Sequence, residues 1–370
     1  MEKLSMIGHV KDTPRVVKKT YETRNSYMTE FVNAFVNHDF KKVYFLGSGT
    51  SHNVSLVVRN IFVELLNVEG VACPPTIFTF HEKVNPNGVY KKEEICVICL
   101  SQHGDSISTT QAAKKAQEEG YFTIAVTETL NSIIEQFCDV YCHLVCEREE
   151  IGPETRGYTQ TIFQAYIMAI EIAKAKGIIN EERYKKLDND AKELSENLHI
   201  VVEESINWYN NNREDLLKMT KSSICGYGVN YPTALEARLK LFETFSRPCT
   251  GYEMEEQLHG PLRGYNQDNY IFMIISEGGY EFTRACDVVA YYKRAITKHV
   301  YVITAEDGVD ITDADLKFSI KTSDILSPMI YVIPFQVLSA LLCEDIGIDT
   351  KVSPIKDRSL SSHYENDRYK

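Results

Sequence analysis

The 370-residue chain has no uninterrupted apolar run approaching the roughly 20 residues that a membrane-spanning helix needs. Its first residues, Met1-Glu2-Lys3-Leu4-Ser5-Met6, lack the apolar core of a secretory signal, so a cytoplasmic protein is expected. Basic residues are in the minority: 40 Lys and Arg against 52 Asp and Glu leave a formal net charge of -12. That balance argues against nucleic acid or an anionic membrane as a partner, since either selects a basic surface. A cysteine framework is also missing. The 10 cysteines are scattered, which in a cytosolic chain means reduced thiols. Cys96 and Cys99 have the spacing of a redox or zinc pair, but on a strand they point to opposite faces and cannot share a metal. Cys138, Cys142 and Cys146 flank a run that reads as a strand, so core thiols are expected there as well, and no metal.

What is present is alternation. A polar helix is predicted from about Pro14 to Asn37, followed by a β-branched and aromatic run, Lys42 to Leu46. That run ends in Gly47-Ser48-Gly49-Thr50-Ser51 and leads into a helix with periodic Val54, Val57 and Ile61. A strand Ile95–Leu100, a loop Ser101-Gln102-His103-Gly104-Asp105-Ser106, a helix near Ser108–Glu119 and a strand Phe122–Val126 follow. The order predicts a parallel sheet covered by helices. It then recurs: Ser223 to Gly228 holds the place of the first glycine turn, a helix starts at Pro232, and strands Tyr270–Ile275 and Val300–Ile303 flank a helix around Phe282–Lys293. The expected fold is α/β, two tandem three-layer domains of flavodoxin-like type. Their predicted bounds are 1–195 and 196–348, with helical linker and domain-closing helices from Ile179 to Asn212 and a tail, 349–370, that is frayed or an ordered lid.

The two halves differ in what their loops carry. Gly49, Thr50, Ser51 and the loop Ser101 to Ser106 are small or hydroxylic residues that each open a helix, where backbone N–H groups and the helix dipole bind anions. Glycine at a turn, or Ser and Thr as simple helix caps, would give part of this pattern, but two such loops on neighbouring strands favour a phosphate cradle. The corresponding loop of the second half contains Glu277, which repels an anion. A nicotinamide cofactor is not expected, because Gly47-Ser48-Gly49-Thr50-Ser51-His52 lacks the third glycine of the dinucleotide fingerprint, and no other cofactor is implied.

The second half carries acid/base groups instead. Glu236, Lys240 and Glu243 recur at i, i+4 and i+7, one helical face, and His259 is followed by Gly260-Pro261, which halts the backbone and fixes the ring. A solvated helix face has the same spacing. The histidine beyond it favours proton chemistry on a small molecule.

With these segments in view the chain resembles the sugar isomerase (SIS) family with two such domains. Its members include the isomerase half of glucosamine-6-phosphate synthase, the fructosamine-6-phosphate deglycases and the glucosamine-6-phosphate deaminases. The residues that carry the resemblance are Gly49-Thr50-Ser51, Ser101-Gln102 with Gly104, Glu150-Ile151-Gly152 with Thr155, and Tyr231-Pro232 through Glu236, Lys240 and Glu243. His259-Gly260-Pro261, and Pro328 with Tyr331, Pro334 and Gln336, complete the set. The resemblance implies that Gly49, Thr50, Ser51, Ser101, Gln102 and Ser106 hold a sugar phosphate. It further implies that Glu243 moves a proton between C1 and C2, that His259 assists ring opening, and that Glu236 and Lys240 orient the substrate. It also implies a homodimer or higher homo-oligomer with shared sites. The chain begins almost directly at the isomerase part, so glutamine-driven synthesis by this chain alone is not expected.

Two departures set the reading. His103 stands where the family has serine, and either contacts the substrate or merely caps the loop. Arg358 stands where the synthase has a tail lysine that forms an imine with the sugar; arginine cannot. This fits a substrate that already carries nitrogen. The expected activity is fructosamine-6-phosphate deglycase, with glucosamine-6-phosphate deaminase as the alternative. A non-catalytic sugar-phosphate sensor would have lost Glu243 and His259.

Overall fold

The computed structural model describes residues 4–149, 151–276, 278–352 and 362–363. Helices α1 (Met6–Glu22) and α2 (Thr29–Asn37) precede β1 (Lys42–Leu46), α3 (Thr50–Leu66), β2 (Glu69–Cys73), α4 (Pro75–Phe80), β3 (Ile95–Leu100) and α5 (Ile107–Glu118). Next come β4 (Phe122–Thr127), β5 (Val140–His143), α6 (Arg156–Ala175) and α7 (Glu181–Leu216). The second series is β6 (Ser222–Gly226), α8 (Tyr231–Phe245), β7 (Cys249–Glu253), α9 (Met254–Leu258), β8 (Tyr270–Ile275) and α10 (Tyr280–Ala295). It closes with β9 (Val300–Thr304), β10 (Leu316–Lys317), α11 (Pro328–Tyr331) and α12 (Ile333–Asp345).

Two predictions need correction. The single polar helix from Pro14 to Asn37 is two helices separated by a 3-10 turn at Arg24–Ser26, and the first begins eight residues earlier and contains Pro14. An interior proline costs about 3 kcal/mol or more. Burial of Met6, Ile7, Val10, Val16 and Val17 along one face offsets it. The charged stretch after Ile179 is one continuous helix of 36 residues, α7, rather than several.

Both sheets are wholly parallel and five-stranded. The first has the order β2-β1-β3-β4-β5 and the second β10-β9-β8-β6-β7, which is the same winding read from the other edge. Side-chain alternation covers each face. In the first sheet Tyr44, Leu46, Val97 and Cys99 meet Ala112, Ala113 and Ala116 of α5, while Phe45 on the opposite face meets Phe62 of α3 with ring centroids 5.2 Å apart. In the second, Ile271, Met273 and Ile275 meet Ala285, Val288 and Val289 of α10, and Phe272 faces Phe335 of α12. Parallel strands buried on both faces explain the nearly continuous apolar runs.

The chain divides into two compact units that are not contiguous. One, holding the first sheet, comprises 15–148, 156–193 and 353–370; the other, holding the second, comprises 1–14, 149–155 and 194–352. One stretch, Asp324–Asp345, is long and apolar enough for a membrane span, a property hidden by its interruptions, but it lies 89% buried inside the protein. All ten cysteines are free thiols, and Cys96 and Cys99 are fully buried in β3.

Candidate active site

In an open parallel sheet of this winding the two central strands send their connections in opposite directions, leaving a crevice at their carboxyl ends. In the first sheet those strands are β1 and β3, with Leu46 opposite Cys99. Gly47 and Ser101 therefore begin adjacent loops. Gly47 is required by close approach, since a Cβ there would lie 2.6 Å from the Ser51 carbonyl, and Gly49 starts α3 with φ of 59°. A Cβ on Gly104, with φ of 67°, would lie 2.3 Å from Ser132 Oγ.

The loops are joined by hydroxyls. Ser48 Oγ lies 3.1 Å from Ser108 Oγ, Ser106 Oγ lies 3.5 Å from the same atom, and Thr109 Oγ1 donates to Ser106 Oγ at 3.1 Å. Neither Gly49 nor Ser106 caps its helix with a side-chain hydrogen bond, although both occupy the capping position. Simple capping therefore does not explain Ser106. Ser48, within the glycine turn, and Ser108, just past the second loop, were not among the residues that sequence reasoning assigned to the phosphate. Gln102 is held in place by donation from Nε2 to Cys146 Sγ at 2.8 Å and by the bare Gly157 beside it, where a Cβ would lie 3.0 Å from Nε2.

The loop also meets residues 362 and 363 of the chain. Ile107 N–H, in the first turn of α5, donates to the Ser362 carbonyl at 3.1 Å, and His363 Nδ1 pairs with Asp105 at 2.9 Å. That hydrogen bond holds the Asp105 carboxyl below its ordinary value. His103, half-buried beside the same loop, has its pKa lowered by burial and by the charge of Arg148. Arg358 lies outside the described residues, as does Glu277.

In the second unit α8 begins after Asn230, which donates to Ser327 Oγ at 2.7 Å and accepts from Thr233 Oγ1 at 2.9 Å. Pro232 sits in the first turn, where its missing N–H is not needed. Tight glycine contacts press the helix on its sheet: a Cβ on Gly251 would lie 2.8 Å from the Ala234 carbonyl. Glu236 and Lys240 thus point inward, at 0% and 1% side-chain exposure, while Glu243 reaches the surface at 36%. Lys240 Nζ stands 2.7 Å from Glu243 Oε2 and 3.5 Å from Glu236 Oε1. Burial acts to lower its pKa, yet the two carboxylates raise it above the ordinary value, so the ammonium is fully charged.

The same unit supplies a further carboxyl. The segment 149–155 is closed on itself by Glu149, which accepts from Thr155 N–H at 3.1 Å and from Thr155 Oγ1 at 2.8 Å, and Gln336 of α12 donates to the Thr155 carbonyl at 2.8 Å. Glu154 projects from this clamp into the field of Glu149, Glu236, Glu243 and Lys240, and burial with the neighbouring carboxylate of Glu149 raises its pKa to about 8. Sequence reasoning passed over it, for nothing in the order of residues links position 154 to α8.

His259 follows α9 as its final cap, with Gly260 at φ of 142° behind it. Its ring is exposed and makes no hydrogen bond among the described residues, nor does it contribute to the field at Lys240. The structure brings Glu236, Lys240 and Glu243 together, and separately the loops of Gly49, Thr50, Ser51 and Ser101 to Ser106; His259 joins neither group.

A family model for the SIS domain matches residues 38–171 and 216–343. The chain is 25% identical over 372 residues to glutamine--fructose-6-phosphate aminotransferase [isomerizing] of Thermococcus kodakarensis, covering 96% of this chain and 57% of that protein. It thus spans a little over half the length of such curated relatives. Among solved structures, a protein from Clostridium difficile 630 described provisionally as a phosphosugar isomerase superposes with a TM-score of 0.85 at 26% identity, covering 96% of this chain and 97% of that one. Glucosamine-6-phosphate deaminase from Thermotoga maritima superposes with a TM-score of 0.70 at 19% identity, covering 94% and 97%, a likeness of fold alone.

Proposed function

We propose, from the premise that the chain belongs to the SIS domain family, that it is a cytoplasmic fructosamine-6-phosphate deglycase. It converts a 6-phosphorylated fructosamine to glucose 6-phosphate and a free amine or amino acid. The observation that carries the reading is the Lys240–Glu243 contact of 2.7 Å on a buried lysine, in a chain whose other unit has hydroxyl-lined loops at the starts of α3 and α5. A carboxylate held against an ammonium is a competent base for a proton next to a carbonyl or imine. In this reading the loops of Gly49 to Ser51 and Ser101 to Ser106 bind the phosphate. Glu243 takes a proton from C1 and returns it to C2, and Lys240 and Glu236 hold it in place.

The resulting imine at C1 is hydrolysed to the aldose and the amine. His259 serves ring opening in the site of a neighbouring subunit of a homo-oligomer, a role favoured by its exposure and by its lack of a hydrogen-bond partner among the described residues. Arg358 of the tail cannot capture a free ketose as an imine, which favours a substrate that brings its own nitrogen. The test is a panel of phosphorylated fructosamines and glucosamine 6-phosphate, assayed for released amine, ammonia and hexose phosphate. Glucose 6-phosphate with free amine is expected. Ammonia and fructose 6-phosphate from glucosamine 6-phosphate would make it a deaminase instead, and hexose phosphate interconversion without release of nitrogen would leave a simple isomerase.

A further inference from the structure

Gln257 is fully buried and lies two residues before His259. Its amide is spent on three neighbours. Nε2 donates to Ser223 Oγ of β6 at 3.0 Å and to the Tyr265 hydroxyl at 2.6 Å, and Oε1 accepts from the Tyr292 hydroxyl of α10 at 2.8 Å. Contact between the Ser223 and Tyr265 hydroxyls, and donation from Thr250 Oγ1 to Ser223 Oγ at 3.1 Å, extend the network. Tyr292 belongs to a largely apolar cluster with Met254, Ile271 and Met273, and Tyr265 packs against it. A leucine has similar bulk and no polar atom to satisfy, so packing alone does not call for an amide here.

What the amide does is close a loop. Helix α9 is a single turn of five residues, too short to hold its shape by itself. His259 caps it, and the chain then turns through Gly260 and the 3-10 turn Pro261–Gly264 before reaching Tyr265. The Gln257–Tyr265 hydrogen bond joins the two stems of that excursion, while Ser223 and Tyr292 fix the stems to the sheet and to α10. Backbone bonds from His259 N–H to Glu256, Arg263 N–H to Gly260 and Tyr265 N–H to Leu262 brace the loop from within. The tie from Glu255 to Arg284 of α10, at 2.6 Å, lies at the surface, where such pairs hold little. A satisfied buried network rigidifies what it carries, and this one carries His259.

We infer that Gln257 is the positioning residue for His259, holding the ring where it serves the opening of a cyclic sugar phosphate. This rests on the function proposed above. In ring opening the C2–O5 bond breaks with its electron pair going to O5, which takes a proton, and the anomeric hydroxyl gives up a proton as C2=O2 forms. An imidazolium gives the first proton and receives the second, ending as it began, only if it stays within reach of both oxygens. A displacement of about 1 Å costs a group in such a role about 10²-fold in rate. The exposed ring has no hydrogen bond of its own among the described residues, so its placement comes from the pinned backbone beneath it.

The experiment compares a fructosamine 6-phosphate with its 5-deoxy analogue, which lacks O5 and is always open-chain. Amine release is followed as kcat and KM for wild type, His259→Ala, Gln257→Leu, Tyr265→Phe and Tyr292→Phe. On the cyclic substrate His259→Ala should lose about 10²–10⁴-fold in kcat and Gln257→Leu about 10²-fold, and on the analogue both should stay near wild type. The two phenylalanine variants keep their rings and lose only a hydroxyl of the network. They should show the same selectivity to a smaller degree, and they supply the readout if Gln257→Leu does not fold. A merely structural role slows both substrates alike. Network variants that slow the two substrates equally, or slow neither, overturn the inference and leave the deglycase reading standing. A His259→Ala protein without selectivity removes the ring-opening role, and the positioning role with it. A wild type that releases no nitrogen from any fructosamine 6-phosphate sinks the proposed function and everything that rests on it.

Discussion

The two units share one sheet winding and differ at the crevice between their central strands. In the first, the turn Gly47-Ser48-Gly49 leaves small residues and hydroxyls around the start of α3. In the second, the equivalent turn is Gly226-Tyr227-Gly228, and the Tyr227 ring is fully buried in the core beneath it. Its hydroxyl accepts the Ser276 N–H at 3.2 Å, the backbone donor at the end of β8 that would otherwise face the crevice. The duplicated scaffold thus carries a buried aromatic side chain at the turn where the first unit has a serine. The second unit carries its polar groups on the inward face of α8 and the clamp around Thr155.

The division of labour can be broken most sharply at Glu243. Glu243→Gln is expected to lower turnover of a fructosamine 6-phosphate by about 10²–10⁴-fold while binding of glucose 6-phosphate, measured by titration calorimetry, stays near wild type. Equal loss of both would mean that the units do not separate these tasks. Next in size is Lys240→Met. It leaves Glu236 buried without its cation, at a cost of roughly 3–5 kcal/mol, which urea unfolding should register. A variant of unchanged stability would show that the lysine does not balance that charge.

A matched pair of glycine substitutions sharpens the comparison. A Cβ would lie 2.6 Å from Ser51 at Gly47 and 2.4 Å from the Asn230 carbonyl at Gly226, so both alanine variants should lose about 1–3 kcal/mol of stability. Only Gly47→Ala should also weaken phosphate binding, because only that loop belongs to the proposed cradle. A change of similar size is expected at Tyr227. Tyr227→Phe removes the acceptor of the Ser276 N–H, costing about 1–3 kcal/mol in unfolding free energy, and should create no second phosphate site. Two bound sugar phosphates per chain in that variant would show that the hydroxyl alone keeps the second crevice shut.

Much of this was legible in the residues. The runs of Val, Ile, Tyr and Phe that become β1, β3, β8 and β9 are buried on both faces and announce themselves, as does the i, i+4, i+7 pattern of α8. The edge strand β2 was not legible. Glu69-Gly70-Val71-Ala72-Cys73 of β2 has neither alternation nor a continuous apolar run, because only pairing to β1 makes it a strand. The position of Tyr227 was equally hidden, since an aromatic between two glycines reads as a turn residue. Glu154 shows the limit most clearly. Its character comes first from burial and from Glu149, then from Lys240, Glu236 and Glu243, distant in sequence, and neither burial nor long-range juxtaposition leaves a periodic trace.

The way the chain is shared between the units bears on how it is made. Residues 1–14 and 149–155 belong to the unit whose remaining residues, 194–352, follow all of the other unit except 353–370. On the ribosome the earliest segment must wait, with Met6, Ile7 and Val10 unburied, until nearly the whole polypeptide has emerged. Contacts of such long sequence separation close late and slowly. A protease nick within α7, or a gene divided there, would deprive the later half of both its first helix turns and the clamp that holds Glu154, so the two fragments would have to be co-expressed to recover a folded protein.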